Sequence, residues 1–204
     1  MKIVSDSAKS MATPEGQARN EEIFRTAAHL MVQNGYSGTS ISDIAKAVGM
    51  TKAGLYHHIT SKQDMLFQIL HYAMDAMEAV VFEPTRGLTD PEERLRETIR
   101  LHLNGQFEHG LEFALLFPER RHLETEQQQV IAQQIEEYLD YLKEAMRELA
   151  NKGKLRDLDI SVMARHILQT IAGIARWYRE DSGVPKAHLV EQTVNFNLSA
   201  ILKP

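Results

Sequence analysis

The chain has 204 residues, 43% of them apolar, a formal net charge of −5 and no cysteine. That apolar content can bury the core of one large domain or two small ones, and the missing cysteines exclude disulfides and thiolate metal sites and agree with a reducing, cytoplasmic setting. No uninterrupted apolar run of about 18 residues is present, and Lys2, Asp6 and Lys9 break up any signal-peptide core, so no membrane partner is expected.

In chain order, residues 1–13 are small and polar and read as a disordered arm. Pro14 and Glu15 open a helix to about Asn34, with Ile23, Phe24, Ala27, Leu30 and Met31 facing inward and Gly35 as its stop. Ser40 can cap a second, short helix, with Asp43 as the reciprocal partner three residues on. Ile41, Ile44, Ala45 and Val48 share one face of it, and Gly49 ends it. Thr51 can cap a third helix from Lys52 to about His58, in which Leu55 packs inward while Lys52, Tyr56 and His57 project. Two short helices joined by a tight turn, the second carrying basic and polar side chains outward, form a helix-turn-helix, a device for setting side chains into the DNA major groove.

Ser61 and Asp64 open a long helix from Lys62 to about Phe82, ended by Pro84 and Gly87. Asp90-Pro91-Glu92-Glu93 supplies a cap, a first-turn proline and first-turn acids for a helix reaching near Gly110. A short apolar piece, Leu111 to Phe117, stops at Pro118. Three more helices run from about Glu124 to Asn151, from about Asp159 to Glu180, and from Pro185 to about Leu202. Ile131, Ile135, Tyr138, Leu142, Ala145 and Leu149 alternate steps of four and three, and Ile160, Ala164, Ile167, Ile171, Ile174 and Tyr178 do the same in the following helix. The chain reads as all-α, with nine helices: three small ones in a domain at 14–61 and six in a domain at 62–204.

The ordered set Ala27-Ala28, Gly35-Tyr36, Thr39-Ser40, Ile44-Ala45, Gly49, Gly54-Leu55-Tyr56-His57-His58 and Ser61-Lys62 resembles the DNA-binding region of the tetracycline-repressor (TetR/AcrR-like) family. Ile59 stands where that family usually has phenylalanine, an apolar exchange. The resemblance implies a three-helix DNA-binding domain followed by a six-helix domain for ligand binding and dimerisation. It implies DNA contact for Thr39, Ser40, Thr51, Lys52, Ala53, Gly54, Tyr56, His57 and Lys62, with Tyr56 and Lys62 gripping phosphates. Lys52 and Ala53, in the first turn of the recognition helix, are the expected base readers: a lysine can donate to guanine, and an alanine methyl can touch a thymine methyl. Gly54, having no side chain, lets the helix approach closely. Family proteins also build a four-helix bundle across a two-fold axis from the last two helices of each subunit, which places Ala172, Gly173, Ala175, Val194 and Ile201 at a homodimer interface.

A charge of −5 looks wrong for a DNA binder until its distribution is read. Residues 1–62 hold seven Lys/Arg against five Asp/Glu, and the remainder holds sixteen against twenty-three. The basic excess lies where phosphates would be met, and His57 and His58 can add to it. Phe107, Phe113, Leu115, Leu116 and Phe117 fall where the family's ligand pocket lies, and Glu119-Arg120-Arg121-His122-Leu123 follows. An aromatic cavity beside Arg120 and Arg121 suits an apolar tail with an anionic head, and a coenzyme A thioester fits both halves; plain core beside a solvated turn is the competing reading. The stretch Glu119 to Leu123, with Arg176-Trp177-Tyr178 and Gly183, is similar to a subset of the family that regulates lipid and acyl-coenzyme A breakdown, which adds Trp177 to the ligand set.

No Ser-His-Asp order, P-loop or dinucleotide fingerprint is present, and His102, His109, His122 and His166 form no His-x-x-x-His array. No catalytic residue, metal or cofactor is expected. The expected function is a cytoplasmic homodimer that represses transcription from a palindromic operator and is released by a small-molecule effector. The alternative is an all-helical enzyme or ligand-binding protein with no DNA role.

Overall fold

The computed structural model describes residues 14–108, 110–116 and 118–204; the expectations for the arm 1–13, His109, Phe117 and the side chain of Ala175 lie outside what it describes. The described residues are helical, joined by turns, and the one strand-like feature among them is an isolated antiparallel bridge between Leu155 and Leu202. They divide into two compact units. One holds the described residues up to Ala73 together with Leu111–Gln129, the other Met74–Gly110 with Val130–Pro204.

In the first unit, α1 (Pro14–Gly38) is broken at Gly35, whose φ of 72° and ψ of 159° suit only glycine. Next come α2 (Ile41–Ala47) and α3 (Lys52–Leu55). The third helix is one turn long, shorter than the spacing predicts. After Leu55 the backbone tightens, with His57 N–H donating to the Gly54 carbonyl and His58 N–H to that of Leu55. The core of this unit includes Ile23, Phe24, Ala27, Ala28, Met31, Ile44, Leu55 and Ile59, all buried. The start of α4 (Lys62–Met77) belongs with it, so this unit extends past the expected domain boundary at residue 61.

Beyond Met77 the chain passes through a π-helical turn (Glu78–Phe82) into the short α5 (Glu83–Thr85). Pro84 has no N–H to give to the preceding turn, and the wider winding sits immediately before it. The whole run Lys62–Thr85 is long and apolar enough to cross a membrane by length and composition alone. Its apolar residues Met65, Leu66, Ile69, Leu70, Ala73, Met77 and Val81 are buried, which is the pattern of a core helix.

In the second unit, α6 (Pro91–Glu108) starts at Asp90, whose carboxylate accepts the Glu93 N–H at 3.1 Å. It packs against the π turn, α9 (Ile160–Trp177) and α10 (Lys186–Ile201), and α9 packs on α10. The apolar seam of α8 (Thr125–Asn151) is buried throughout, from Ile131 to Leu149. In α9, Ala164, Ile167, Ile171 and Ile174 are buried as well. The spacing predicts α9 to about Glu180, but it ends at Trp177, three residues short; a 3-10 turn (Glu180–Ser182) and Gly183, at φ 78°, follow.

The core of the second unit holds an aromatic and polar knot. The Tyr138 hydroxyl lies 2.5 Å from His102 Nδ1, the Phe82 ring stacks on Tyr138 at 5.5 Å, and the Thr85 hydroxyl lies 2.7 Å from that of Tyr141. Burial pushes the His102 imidazole down to about 3 and the Tyr138 hydroxyl up. An unfolded chain takes up the His102 proton near its ordinary value, whereas the native chain refuses it until about pH 3. Stability from this group is therefore complete above roughly pH 6.5 and falls by about 1.4 kcal/mol per unit below it. Urea unfolding at pH 7 and pH 4.5 should show this loss, about 2.7 kcal/mol, and His102→Gln should remove that part of the pH slope.

Candidate nucleic-acid interface

The site is built on three helix starts. Ser40 Oγ accepts the Asp43 N–H at 3.1 Å, and the Asp43 carboxylate accepts the Ser40 N–H at 3.0 Å, a complete capping box on α2. The Ser40 bonds hold the Asp43 carboxyl below its usual value. Gly49 then turns at φ 66°. Thr51 Oγ1 accepts the Gly54 N–H at 3.0 Å and starts α3. A Cβ on residue 54 would press that hydroxyl at 3.2 Å, so glycine serves the cap as well as the approach. Ser61 Oγ accepts the Asp64 N–H at 3.0 Å and starts α4.

These caps leave one face of α3 outward. Leu55 is fully buried beneath it, while Lys52, Ala53 and His57 are exposed and Tyr56 is 45% exposed. Tyr56 and Lys52 stand one turn apart, the Tyr56 N–H donating to the Lys52 carbonyl. His58 differs from its neighbour. Its Nδ1 lies 2.7 Å from Oδ1 of the buried Asn20. Burial, Arg19 and His57 lower its pKa, so it adds less positive charge than expected. Arg19 Nη2 also donates to the Val48 carbonyl at 2.8 Å, tying α1 to the turn between the two short helices.

Two residues expected at DNA are engaged inside the protein. Thr39 is buried, and its hydroxyl lies 3.1 and 3.0 Å from the Leu30 and Gly35 carbonyl oxygens, so it secures the end of α1. Lys62 Nζ donates to the carbonyls of Tyr36 at 2.7 Å and Thr39 at 2.8 Å, and stands 4.2 Å from the Tyr36 ring centroid. Two of its three N–H groups are thus spent inside the protein. The turn Arg120–His122 belongs to this unit too: the His122 ring stacks on Tyr36 at 4.7 Å.

The sequence of this unit, residues 23–69, matches the model of bacterial regulatory proteins of the tetR family, and residues 88–201 match a tetracyclin repressor-like C-terminal domain. The chain belongs to the TetR family of transcriptional regulators.

Among TetR relatives, the chain is similar to AibR, solved in complex with isovaleryl coenzyme A and operator DNA. The two are 33% identical, with a TM-score of 0.81 over 87% of this chain and 97% of that one. It is 26% identical over 195 residues to the HTH-type transcriptional repressor KstR2 of Rhodococcus jostii (strain RHA1), covering 91% of this chain and 92% of KstR2. It is also 26% identical over 180 residues to the HTH-type transcriptional activator FasR of Mycolicibacterium smegmatis, covering 87% of this chain and 80% of FasR.

The residues expected at a ligand divide between the two units of this TetR protein. Phe113, Arg120 and Arg121 lie in the first, with Arg121 exposed. Phe107 and Trp177 lie in the second. Phe107 meets the Tyr178 ring edge-on at 5.3 Å and has the Lys186 ammonium 4.5 Å from its centroid, while Trp177 is 59% exposed. Sequence reasoning passed over Gln106, whose Nε2 donates to the Ala172 carbonyl at 3.4 Å and whose Oε1 is buried without a hydrogen-bond partner. Of the residues expected at a dimer face, Val194 and Ile201 are buried in the chain's own core, because α10 turns its apolar stripe inward. Ala172 and Gly173 are half-buried, and a Cβ at 173 would meet nothing within 4 Å.

The caps predict an asymmetry. Ser40→Ala should cost about 1 kcal/mol of stability, whereas Ser40→Gly should cost only a few tenths, since a glycine cap exposes the orphan amides to water. Equilibrium unfolding of the two variants checks this.

Proposed function

We propose that this TetR protein is a homodimeric repressor that binds a palindromic operator through Lys52, Ala53, Tyr56 and His57 and is released by an acyl-coenzyme A effector. The observation that carries it is the outward face of α3, where Tyr56 and Lys52 stand in solvent over a fully buried Leu55. Ser40, Thr51, Gly54 and Lys62 place that face and meet phosphates at its edges; Lys62 keeps one N–H for this. The named role of KstR2 supports repression, and the AibR complex supports both operator DNA and a coenzyme A thioester. The site of action follows the DNA, in the cytoplasm.

On the family resemblance alone, Phe107, Phe113, Phe117, Trp177, Arg120 and Arg121 are proposed for the effector, rings suiting an acyl chain and arginines an anionic end. Release requires only that the effector bind the DNA-incompetent shape better. A tenfold loss of operator affinity corresponds to about 1.4 kcal/mol of coupling.

For the dimer, the outward faces of α9 and α10 are the better candidates. Val162, His166, Gln169 and Gly173 recur at steps of three and four, and His188, Gln192 and Phe196 recur at steps of four. Val162 is 45% and Phe196 66% exposed. A second copy laid on these faces would cover them, and an operator read in successive major grooves requires two α3 helices about 34–36 Å apart, one turn of DNA. Because residue 173 has open space within its own chain, Gly173→Leu should leave the fold intact and weaken the dimer in sedimentation.

The test is selection of bound duplexes from a random DNA pool. An inverted repeat should emerge, and micromolar isovaleryl coenzyme A should lower its affinity. Lys52→Ala should relax preference at one base pair per half-site by about 1–3 kcal/mol. Selection of no common sequence would sink the operator reading. An inverted repeat insensitive to any acyl-coenzyme A would sink the effector alone.

A further inference from the structure

The turn from Glu119 to Leu123 falls, in sequence, inside the span matched as the C-terminal domain, yet it packs as part of the DNA-binding unit. Two contacts hold it there. Its His122 ring lies nearly parallel to that of Tyr36, 21° between planes and 4.7 Å between centroids. Its His122 carbonyl accepts a hydrogen bond from Gln63 Nε2 at 3.0 Å. Within the turn, His122 N–H donates to the Glu119 carbonyl at 2.9 Å, Glu119 Oε2 lies 3.3 Å from His122 Nε2, and Leu123 is buried.

Tyr36 and Lys62 meet at the junction that leads into the helix-turn-helix. The Tyr36 ring is almost wholly buried and touches the Lys62 ammonium, which in turn bonds the Tyr36 and Thr39 carbonyls. Ser40, the cap of α2, is the next residue. A ring packed on Tyr36 therefore constrains Tyr36, Lys62 and the entry to α2 in sequence. Gln63, the neighbour of Lys62, binds the same turn, so both residues at the start of α4 are engaged.

We propose that His122 is a positioning residue for operator binding: by stacking on Tyr36 it holds the Tyr36–Lys62 junction, and with it the orientation of the recognition helix, from a turn outside the helix-turn-helix. This rests on reading α3 as the DNA-contacting helix. His122 touches no DNA. Its loss loosens the geometry on which base readout depends and removes no lysine or arginine that attracts any duplex.

Affinities are measured for the inverted repeat selected by the unaltered chain and for a scrambled duplex of the same length. His122→Ala and His122→Asn should weaken binding to the selected repeat about 3- to 10-fold, the loss expected for one aromatic contact, with scrambled DNA bound as before. His122→Phe should restore the repeat, because it restores the ring. If His122→Ala does not melt cooperatively, the Asn and Phe variants decide. Equal losses on both duplexes would make His122 a merely structural residue and overturn the proposal. Unchanged binding to the repeat, or a Phe variant no better than Asn, would overturn it as well. An unaltered chain that selects no sequence overturns the underlying operator reading, an outcome separate from these.

Discussion

The Lys62 ammonium, in the first turn of α4, closes on two carbonyls that come 26 and 23 residues earlier, those of Tyr36 and Thr39. Those carbonyls follow the kink at Gly35, at the C-terminal end of α1, where helix carbonyls lack partners further along the helix. A charged donor is about twice as strong a partner as a neutral one, and it brings the end of α1, the entry to α2 and the start of α4 to one point. The recognition helix depends on this. At four residues α3 is far below the length at which a helix holds itself, so its position is inherited from what flanks it. Arg19 on the Val48 carbonyl and Asn20 on His58 fasten the rest of that frame to α1.

The second unit is stabilised in a different way. Its core is a set of apolar stripes on α6, α8, α9 and α10, with the His102–Tyr138 pair buried among them. Such a pair survives burial by bonding to itself, and it fixes which faces meet. The inward turn of these stripes leaves Val162 and Phe196 in solvent. Apolar side chains of this size, exposed on the last two helices, leave surface available for burial.

Much of this was legible in the sequence because helix ends are written locally. Ser40 with Asp43, Thr51, Ser61 with Asp64, and Asp90 all cap as their spacing predicts. Gly35 and Gly49 turn where helices stop. The contacts that pair distant residues were not legible. Lys62 reads as a phosphate lysine by motif, and nothing near it in sequence reveals two acceptors more than twenty residues away. The contacts of Thr39 with Leu30 and of His122 with Tyr36 are hidden for the same reason. The spacing of Val194 and Ile201 marks a buried stripe, but spacing alone does not say whether the cover is a second copy or the chain's own α6 and α9. Pro84 is a helix stop by rule, yet a π turn absorbs it and the helix runs on to Thr85.

The dependence of the DNA-reading pair on Lys62 is tested most directly by amide hydrogen exchange on the DNA-free protein, comparing the unaltered chain with Lys62→Met, which keeps the aliphatic stem and removes the ammonium. Exchange should quicken at least tenfold, about 1.4 kcal/mol of lost protection, in α2 and α3, with α8 and α9 unchanged. Equal protection of α2 and α3 in the two proteins would contradict the dependence and return Lys62 to the role of a phosphate contact alone.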